Sequence, residues 1–530
     1  MDRRKKILNS LLSGILFIPA WYSWGSGVVL FVAFIPLLLV EYQLIRTKSR
    51  SSEWFWLPFL TFFIWNLGTT WWIKNASFAG LLVAIAVNTF MMTLPFWLFT
   101  ITHRKLGDRV GYLSLIIYWL AMEFFYLNAE ISWTWLNLGN GFAQNIRLIQ
   151  WYEYTGTLGG TLWVLAVNIA LFKIFKSNRY GIKLNNFNLR LSLALALILL
   201  PIAISLIIYQ TYREKEDPYD IVIVQPNIDP YYKFNDIPVD QQLNIFFRIT
   251  DSLADKNTDY IVAPETFIND NIWLNQLELN RSIRKLITFQ EKYPGSKLII
   301  GITAYRLYDS SDESPTARPY REDKYFDSFN TAIQIDSTGT IQDYFKSQLV
   351  VGVEKMPYTR YLGFLRKLML HLGGTFRSHG SQDFRESFSS PQDSIKVAPV
   401  ICYESIFGEY VTDYIRDADA NFIFVITNDG WWGDTPGYIQ HNSYSSLRAI
   451  ETRRSVARSA NTGISAFFNQ KGKMILSLGW WERDGIRMEL NANDKLTFYT
   501  KYGDYLGRIA AFLCIALLLY TLVTALIPKK

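Results

Sequence analysis

The chain is poor in cysteine, in histidine and in charge. Its 530 residues hold 2 Cys and 4 His, and Asp, Glu, Lys and Arg together make up 19%. The two cysteines, Cys402 and Cys514, lie far apart, the second inside an apolar run, which excludes a disulfide framework. No Cys/His pair has the spacing of a zinc site, so neither metal nor cofactor is expected. Charge is not spread through the apolar stretches, which argues against a transporter. The net charge of +7 falls largely in short loops between those stretches, so nucleic acid is not an expected partner. There is no internal repeat and no low-complexity segment.

Apolar and aromatic residues are abundant, at 50% and 16% of the chain, with 18 Trp and 36 Phe. Apolar runs fall near 7–23, 26–45, 54–73, 79–101, 110–128, 157–175, 191–209 and 506–527. Roughly 20 apolar residues cross a bilayer core, so eight transmembrane helices are expected. MDRRKK, RTKSR, THRKLGDR, the stretch 173–190 and the final PKK are rich in Lys and Arg, whereas YSWGSG, KNASF and 128–156 are not. Positive-inside bias therefore places both termini in the cytoplasm. The first run has no clear small-residue cleavage site and reads as an uncleaved span.

This leaves residues 212–503 outside the cytoplasm, between a seven-span domain at 1–211 and a last span with its tail at 504–530. In the block, apolar stretches at 220–228, 259–268, 297–305, 330–336, 397–406 and 421–429 read as buried strands. Helical patterns at 239–256, 271–292 and 441–460 separate several of them, which predicts an α/β layered domain. Two long loops, 306–328 and 356–394, interrupt it.

Three strand ends carry chemistry. APETF places Glu265 after one strand, YFKSQLVVGVE places Lys346 at a loop start with Glu354 eight residues on, and VICYES places Cys402 at a third. Sites in open α/β sheets gather at strand ends. A carboxylate can take a thiol proton and return it, and an ammonium favours thiolate and oxyanion, so the trio amounts to an acyl-transfer set. Taken singly, a Cys on an apolar strand is more often a small buried hydrophobe, and a lone Lys usually faces solvent. Of His371, His379 and His441 in this block, none has a local pattern that marks a Cys–His pair.

Together QPNI (225–228), APETF (263–267), YFKSQLVVGVE (344–354), ICYES (401–405), NDGWWGDTPGYIQH (428–441), RAIETRR (448–454) and ARSANTGIS (457–465) resemble the carbon–nitrogen hydrolase (nitrilase) superfamily. With the membrane frame, essentially the whole chain resembles the apolipoprotein N-acyltransferase family. The resemblance implies an αββα sandwich with a Glu265–Lys346–Cys402 triad, on the periplasmic side of a bacterial inner membrane. It implies ping-pong transfer of an acyl chain from a phospholipid, typically phosphatidylethanolamine, through a Cys402 thioester. The acceptor would be the N-terminal amine of a diacylglyceryl-cysteine apolipoprotein. Supporting roles are implied for Glu354, Tyr403 and Glu404. Phe234 stands where the family commonly has a loop Trp, and Ser347 and Gln348 follow Lys346 in place of a basic pair. An amidase that passes the acyl group to water is the alternative.

Overall fold

The computed structural model describes residues 2–47, 50, 52–181, 186–233, 236–321, 323–358 and 378–526. Phe234 and residues 359–377 of the second long loop lie outside the described residues. The chain divides into two compact units, Met1–Lys74 with Phe78–Thr211 and Tyr502–Lys530, and Asn75–Ser77 with Tyr212–Lys501.

The first unit is helical. Among the described residues, Gly27–Thr47, Phe78–Asn128, Tyr152–Tyr180, Phe187–Thr211 and Tyr505–Thr524 are long and apolar enough to cross a membrane. Phe78–Asn128 contains two of the expected runs and is broken at Gly107, whose φ of +76° suits a residue without Cβ. The first expected run is α-helical only over Arg3–Phe17, because Pro19 cannot donate to the helix ladder. At 15 residues this helix measures about 22 Å, short of a bilayer core.

Polar side chains repair the backbone where these helices break. Between Leu30–Ala33 and Ile35–Thr47, the Asn168 carboxamide accepts from Phe34 N–H at 2.9 Å and donates to the Leu30 carbonyl at 2.7 Å. An unpaired backbone group in an apolar interior costs several kcal/mol, so one side chain here stands in for a helical bond. Glu123 acts similarly. It accepts from Trp119 Nε1 at 3.0 Å, from Leu138 N–H at 2.9 Å and from Thr161 Oγ1 at 2.6 Å. The Trp-rich stretch 130–142 is thereby pinned, with Trp135 buried and stacked on Trp133.

The second unit holds two sheets. The first runs β14 (Asp484–Asn491), β1 (Pro218–Gln225), β2 (Tyr260–Val262), β4 (Lys297–Tyr308), β6 (Tyr325–Ile335), β5 (Arg318–Pro319), with β3 (Ile268–Trp273) on β4 and β7 (Ile341–Phe345) on β6. The second runs β13 (Met474–Ser477), β12 (Ala466–Phe468), β11 (Ser455–Ala460), β10 (Phe422–Thr427), β9 (Asp393–Ile401), β8 (Phe388–Ser390). Strands buried on both faces read as continuous apolar runs, as FIFVIT in β10 does. Helices Val239–Leu253 and Arg281–Gln290 cover one face of the first sheet, with Leu243, Phe246, Ile283 and Leu286 packed on Val222, Ile261 and Ile300. Between the sheets, the Tyr260 ring meets Phe424 edge-on at 5.2 Å, and Ser459 Oγ donates to the Val224 carbonyl at 2.9 Å. Helices Gly408–Arg416 and Pro436–Thr452 lie against the second sheet.

The structure corrects three element readings. The 271–292 pattern is α-helical only over Arg281–Gln290, after the end of β3 and a 3-10 turn at Leu274–Leu279, and Asn280 caps that helix by accepting from Ser282 and Ile283 N–H. The 441–460 pattern ends at Thr452, where Arg453 turns left-handed with φ +52°, and Ser455–Ala460 is a strand. The 306–328 loop is shorter than expected, since β4 and β6 stay paired out to Tyr308 and Tyr325.

Candidate active site

Cys402 follows β9 directly, where Ile401 pairs with Ile426 of the parallel strand β10. Its φ of +50° is rare for a residue bearing a Cβ, and such strain persists only where surrounding contacts fix it. Glu404 is one such contact. The buried carboxylate accepts from Ile401 N–H through Oε2 at 2.8 Å and from Ser347 N–H through Oε1 at 2.7 Å. It therefore ties the residue before Cys402 to the residue after Lys346. The Tyr344, Tyr410 and Tyr414 hydroxyls complete its acceptor sites. Tyr403 is buried, edge-on to Phe407 at 5.3 Å.

Lys346 follows β7, and its amide donates to the Asn330 carbonyl of β6 at 2.9 Å. Its ammonium lies 2.9 Å from Glu265 Oε1 and 3.0 Å from Glu354 Oε1. Glu354 Oε2 accepts from Val350 N–H at 2.8 Å, closing the turn that carries it. Glu265 arrives from β2 through Pro264, and Thr266 after it has φ +44°. That loop crosses β4 at Gly301, where a Cβ would stand 2.5 Å from Thr266 N and 2.6 Å from Glu265 Cα. No other residue fits there without moving the carboxylate.

Burial alone would lower the Lys346 pKa, but the charges of Glu265 and Glu354 hold it well above the ordinary lysine range. Burial would raise Glu354, yet the Lys346 charge and the Val350, Asn330 and Lys346 hydrogen bonds bring it below the usual carboxylate range. Burial pushes the Cys402 thiol up and the Glu265 charge adds to this, against the opposing pull of Lys346. The resting site thus holds a neutral thiol, an ammonium and a carboxylate, and thiolate forms only as the proton moves to an acceptor.

The Carbon-nitrogen hydrolase family model matches residues 223–494, just over half of the chain. The chain belongs to the carbon–nitrogen hydrolase family. A second model, Apolipoprotein N-acyltransferase N-terminal domain, matches residues 13–170. Three relatives named apolipoprotein N-acyltransferase resemble nearly the full length. That of Chlorobaculum tepidum is 26% identical over 512 residues, covering 95% of this chain and 93% of its own. That of Rhizobium rhizogenes is 29% identical over 510 residues, covering 90% and 89%, and that of Geobacter metallireducens is 24% identical over 534 residues, covering 97% and 94%.

Within the carbon–nitrogen hydrolase domain, the structure brings Glu265, Lys346, Glu354, Cys402 and Glu404 together. Sequence reasoning missed Asn330, whose Nδ2 donates to Glu265 Oε1 at 2.8 Å and to Glu354 Oε1 at 2.9 Å. Pairing of β6 with β7 beside Lys346 was the available signal. Lys233 was missed as well. It is buried beside Glu265 and over the Phe267 ring, and burial pushes its ammonium down to about 7. Behind the thiol, Cys402, Asp429 and His441 converge with ligand atoms within 4.8 Å of one another. These atoms already hold hydrogen bonds, and Arg458 lies 2.6 Å from Asp429 Oδ2, which sets a positive charge where a cation would sit.

Proposed function

We propose that this carbon–nitrogen hydrolase is a membrane-bound apolipoprotein N-acyltransferase. The carrying observation is the Lys346 ammonium, fixed between Glu265 and Glu354 at 2.9 and 3.0 Å in a loop that Glu404 fastens to the one holding Cys402. Names and near-complete coverage of the relatives support N-acyl transfer and the acceptor class. The apolar helices support a membrane setting, and the proposal puts catalytic residues 212–503 on the periplasmic side, with residues 1–211 and 504–530 forming the membrane domain.

In the first half-reaction, Glu265 accepts the Cys402 thiol proton as the sulfur attacks the sn-1 ester carbonyl of a phospholipid, with phosphatidylethanolamine as the donor. Lys346 stabilises the tetrahedral oxyanion together with a backbone N–H beside the nucleophile. The glycerol oxygen leaves with the proton from Glu265, releasing lysophospholipid and leaving a thioester. In the second, the α-amino group of a diacylglyceryl-cysteine attacks the thioester. Glu265 takes the amine proton and returns it to the departing Cys402 sulfur. Glu354 keeps Lys346 charged through both halves.

The test is product formation. Purified protein in detergent receives phosphatidylethanolamine with a labelled sn-1 chain and a synthetic diacylglyceryl lipopeptide. Label in amide linkage on the peptide amine supports the proposal. Label released as free fatty acid, with none on the peptide, assigns a hydrolase instead.

A further inference from the structure

Cys402 is held from behind by buried polar and charged groups that the transfer chemistry does not use. His441 Nε2 lies 3.2 Å from the Cys402 carbonyl oxygen, and Ser405 Oγ donates to that same oxygen at 2.7 Å. On its other edge, His441 Nδ1 lies 2.8 Å from Asp429 Oδ1 and 3.0 Å from Arg458 Nη2. Arg458 Nη2 donates to Asp429 Oδ2 at 2.6 Å, and Thr427 Oγ1 donates to Asp429 Oδ1 at 2.9 Å. Thr427 is also within side-chain hydrogen-bond reach of the Cys402 thiol. The side chains of Asp429, His441 and Arg458 are fully buried.

We infer that Asp429, His441 and Arg458 form a buried brace that fixes the left-handed backbone of Cys402, with His441 as the positioning residue. The ring braces Cys402 in the neutral tautomer with the proton on Nε2. It then donates to the Cys402 carbonyl and accepts from Arg458 at Nδ1. Trp432 covers the ring edge-on at 5.5 Å. A buried ion pair is a poor device for stability, since apolar residues of the same volume often do better. Its use here is geometric, because a strained residue needs more than one contact to stay in place. Two separated motifs, NDGWWGDTPGYIQH with Asp429 and His441 and ARSANTGIS with Arg458, thereby converge behind one carbonyl.

The inference rests on Cys402 being the nucleophile of the proposed transfer. It is tested in full-length protein in detergent, in a Cys514→Ser background, with His441→Ala and His441→Gln. The readouts are the thioester-forming rate per folded molecule at varied donor, the pH midpoint of Cys402 alkylation by iodoacetamide, and thermal unfolding. Glu265, Lys346 and Asp429 are the charged groups facing the thiol in that titration. His441→Ala is expected to slow thioester formation at least tenfold at saturating donor, to leave the half-saturating donor concentration unchanged, and to shift the alkylation midpoint. His441→Gln, which can donate an N–H to the same carbonyl, is expected to recover most of the rate. Unchanged rate and midpoint in His441→Ala, whatever its melting temperature, overturn the inference. So does a rise in half-saturating donor with no loss of rate. If His441→Ala does not fold, Ser405→Ala removes the other donor to that carbonyl and is read the same way. Absence of acylation in the parent protein contradicts the transfer reading, while the alkylation midpoints still decide the brace.

Discussion

Glu404 Oε1 accepts the Ser347 backbone N–H at 2.7 Å, so the loop that begins at Lys346 is fastened to the loop that holds Cys402. The other oxygen of the same carboxylate holds Ile401 N–H at 2.8 Å. Glu404→Gln keeps the volume but turns one acceptor into a donor facing an N–H. Loss of a hydrogen bond to a charged group costs about 1.5–3 kcal/mol. We expect thioester formation to fall roughly a hundredfold, since about 2.7 kcal/mol is a factor of a hundred. Single-turnover labelling beside a thermal melt separates this from unfolding.

Asn330 shares one amide nitrogen between Glu265 and Glu354. Asn330→Ala removes that link and leaves Lys346 as the remaining bridge between the two carboxylates. The expected outcome is a loss of roughly tenfold in turnover, of the order of one hydrogen bond. Asn330→Asp should lose more, because it sets a third negative charge beside two. Steady-state turnover at saturating donor checks both.

Lys346→Met tests the charge balance. Removing one partner of a buried ion pair costs about 3–5 kcal/mol, because the remaining charge is left uncompensated. Lys346→Met should therefore lower the melting temperature as well as abolish thioester formation. Adding Glu354→Gln removes one stranded carboxylate and should restore part of the stability with none of the activity. Calorimetry on the single and double variants reads the difference.

Much of this architecture was legible in the sequence. Runs such as DIVIVQ and FIFVIT announce buried strands because both faces are covered, and strand ends then locate Glu265, Lys346 and Cys402. What sequence hides is pairing across distance. Asn330 looks like any strand polar residue until β6 is set beside β7. Arg453, Arg454 and Arg458 are all buried, with partners from elements far along the chain that the sequence does not point to. The 441–460 pattern misled because an apolar run cannot reveal the left-handed turn at Arg453 that converts helix into strand. Pro19 similarly decides where the first apolar run stops being helix, a local backbone matter that hydropathy does not register, whereas the break at Gly107 falls in the basic loop THRKLGDR between two expected runs.

The contribution of Asp429 to stability should rise with pH through the acid range. Asp429 is held below the usual carboxylate range: burial would raise it, but Arg458 and His441 more than compensate. Glu354 is likewise held low, as described. A carboxyl depressed in the folded state contributes stability above its unfolded value, near 4, and loses it as pH falls further. Burial and the Arg458 charge lower His441, and burial lowers His379, so both stay neutral in the fold and bind protons on unfolding below about 6.5. Both effects run in the same direction. Glu404, which burial raises, works the other way, so the test is a difference: Asp429→Asn should flatten the slope of melting temperature between pH 4 and pH 7 relative to the parent protein.

The central claim is that Cys402 carries the acyl group between donor and acceptor. The most direct measurement incubates the protein, beside Cys402→Ser, with phosphatidylethanolamine bearing an alkyne-tagged sn-1 chain, and without acceptor. Neutral hydroxylamine and mass spectrometry then locate the label, after which a diacylglyceryl lipopeptide is added. The account predicts hydroxylamine-sensitive label on Cys402, none in Cys402→Ser, and its movement to the peptide amine on the timescale of turnover. Peptide acylation by Cys402→Ser at the wild-type rate, or label on a residue other than Cys402, would contradict it.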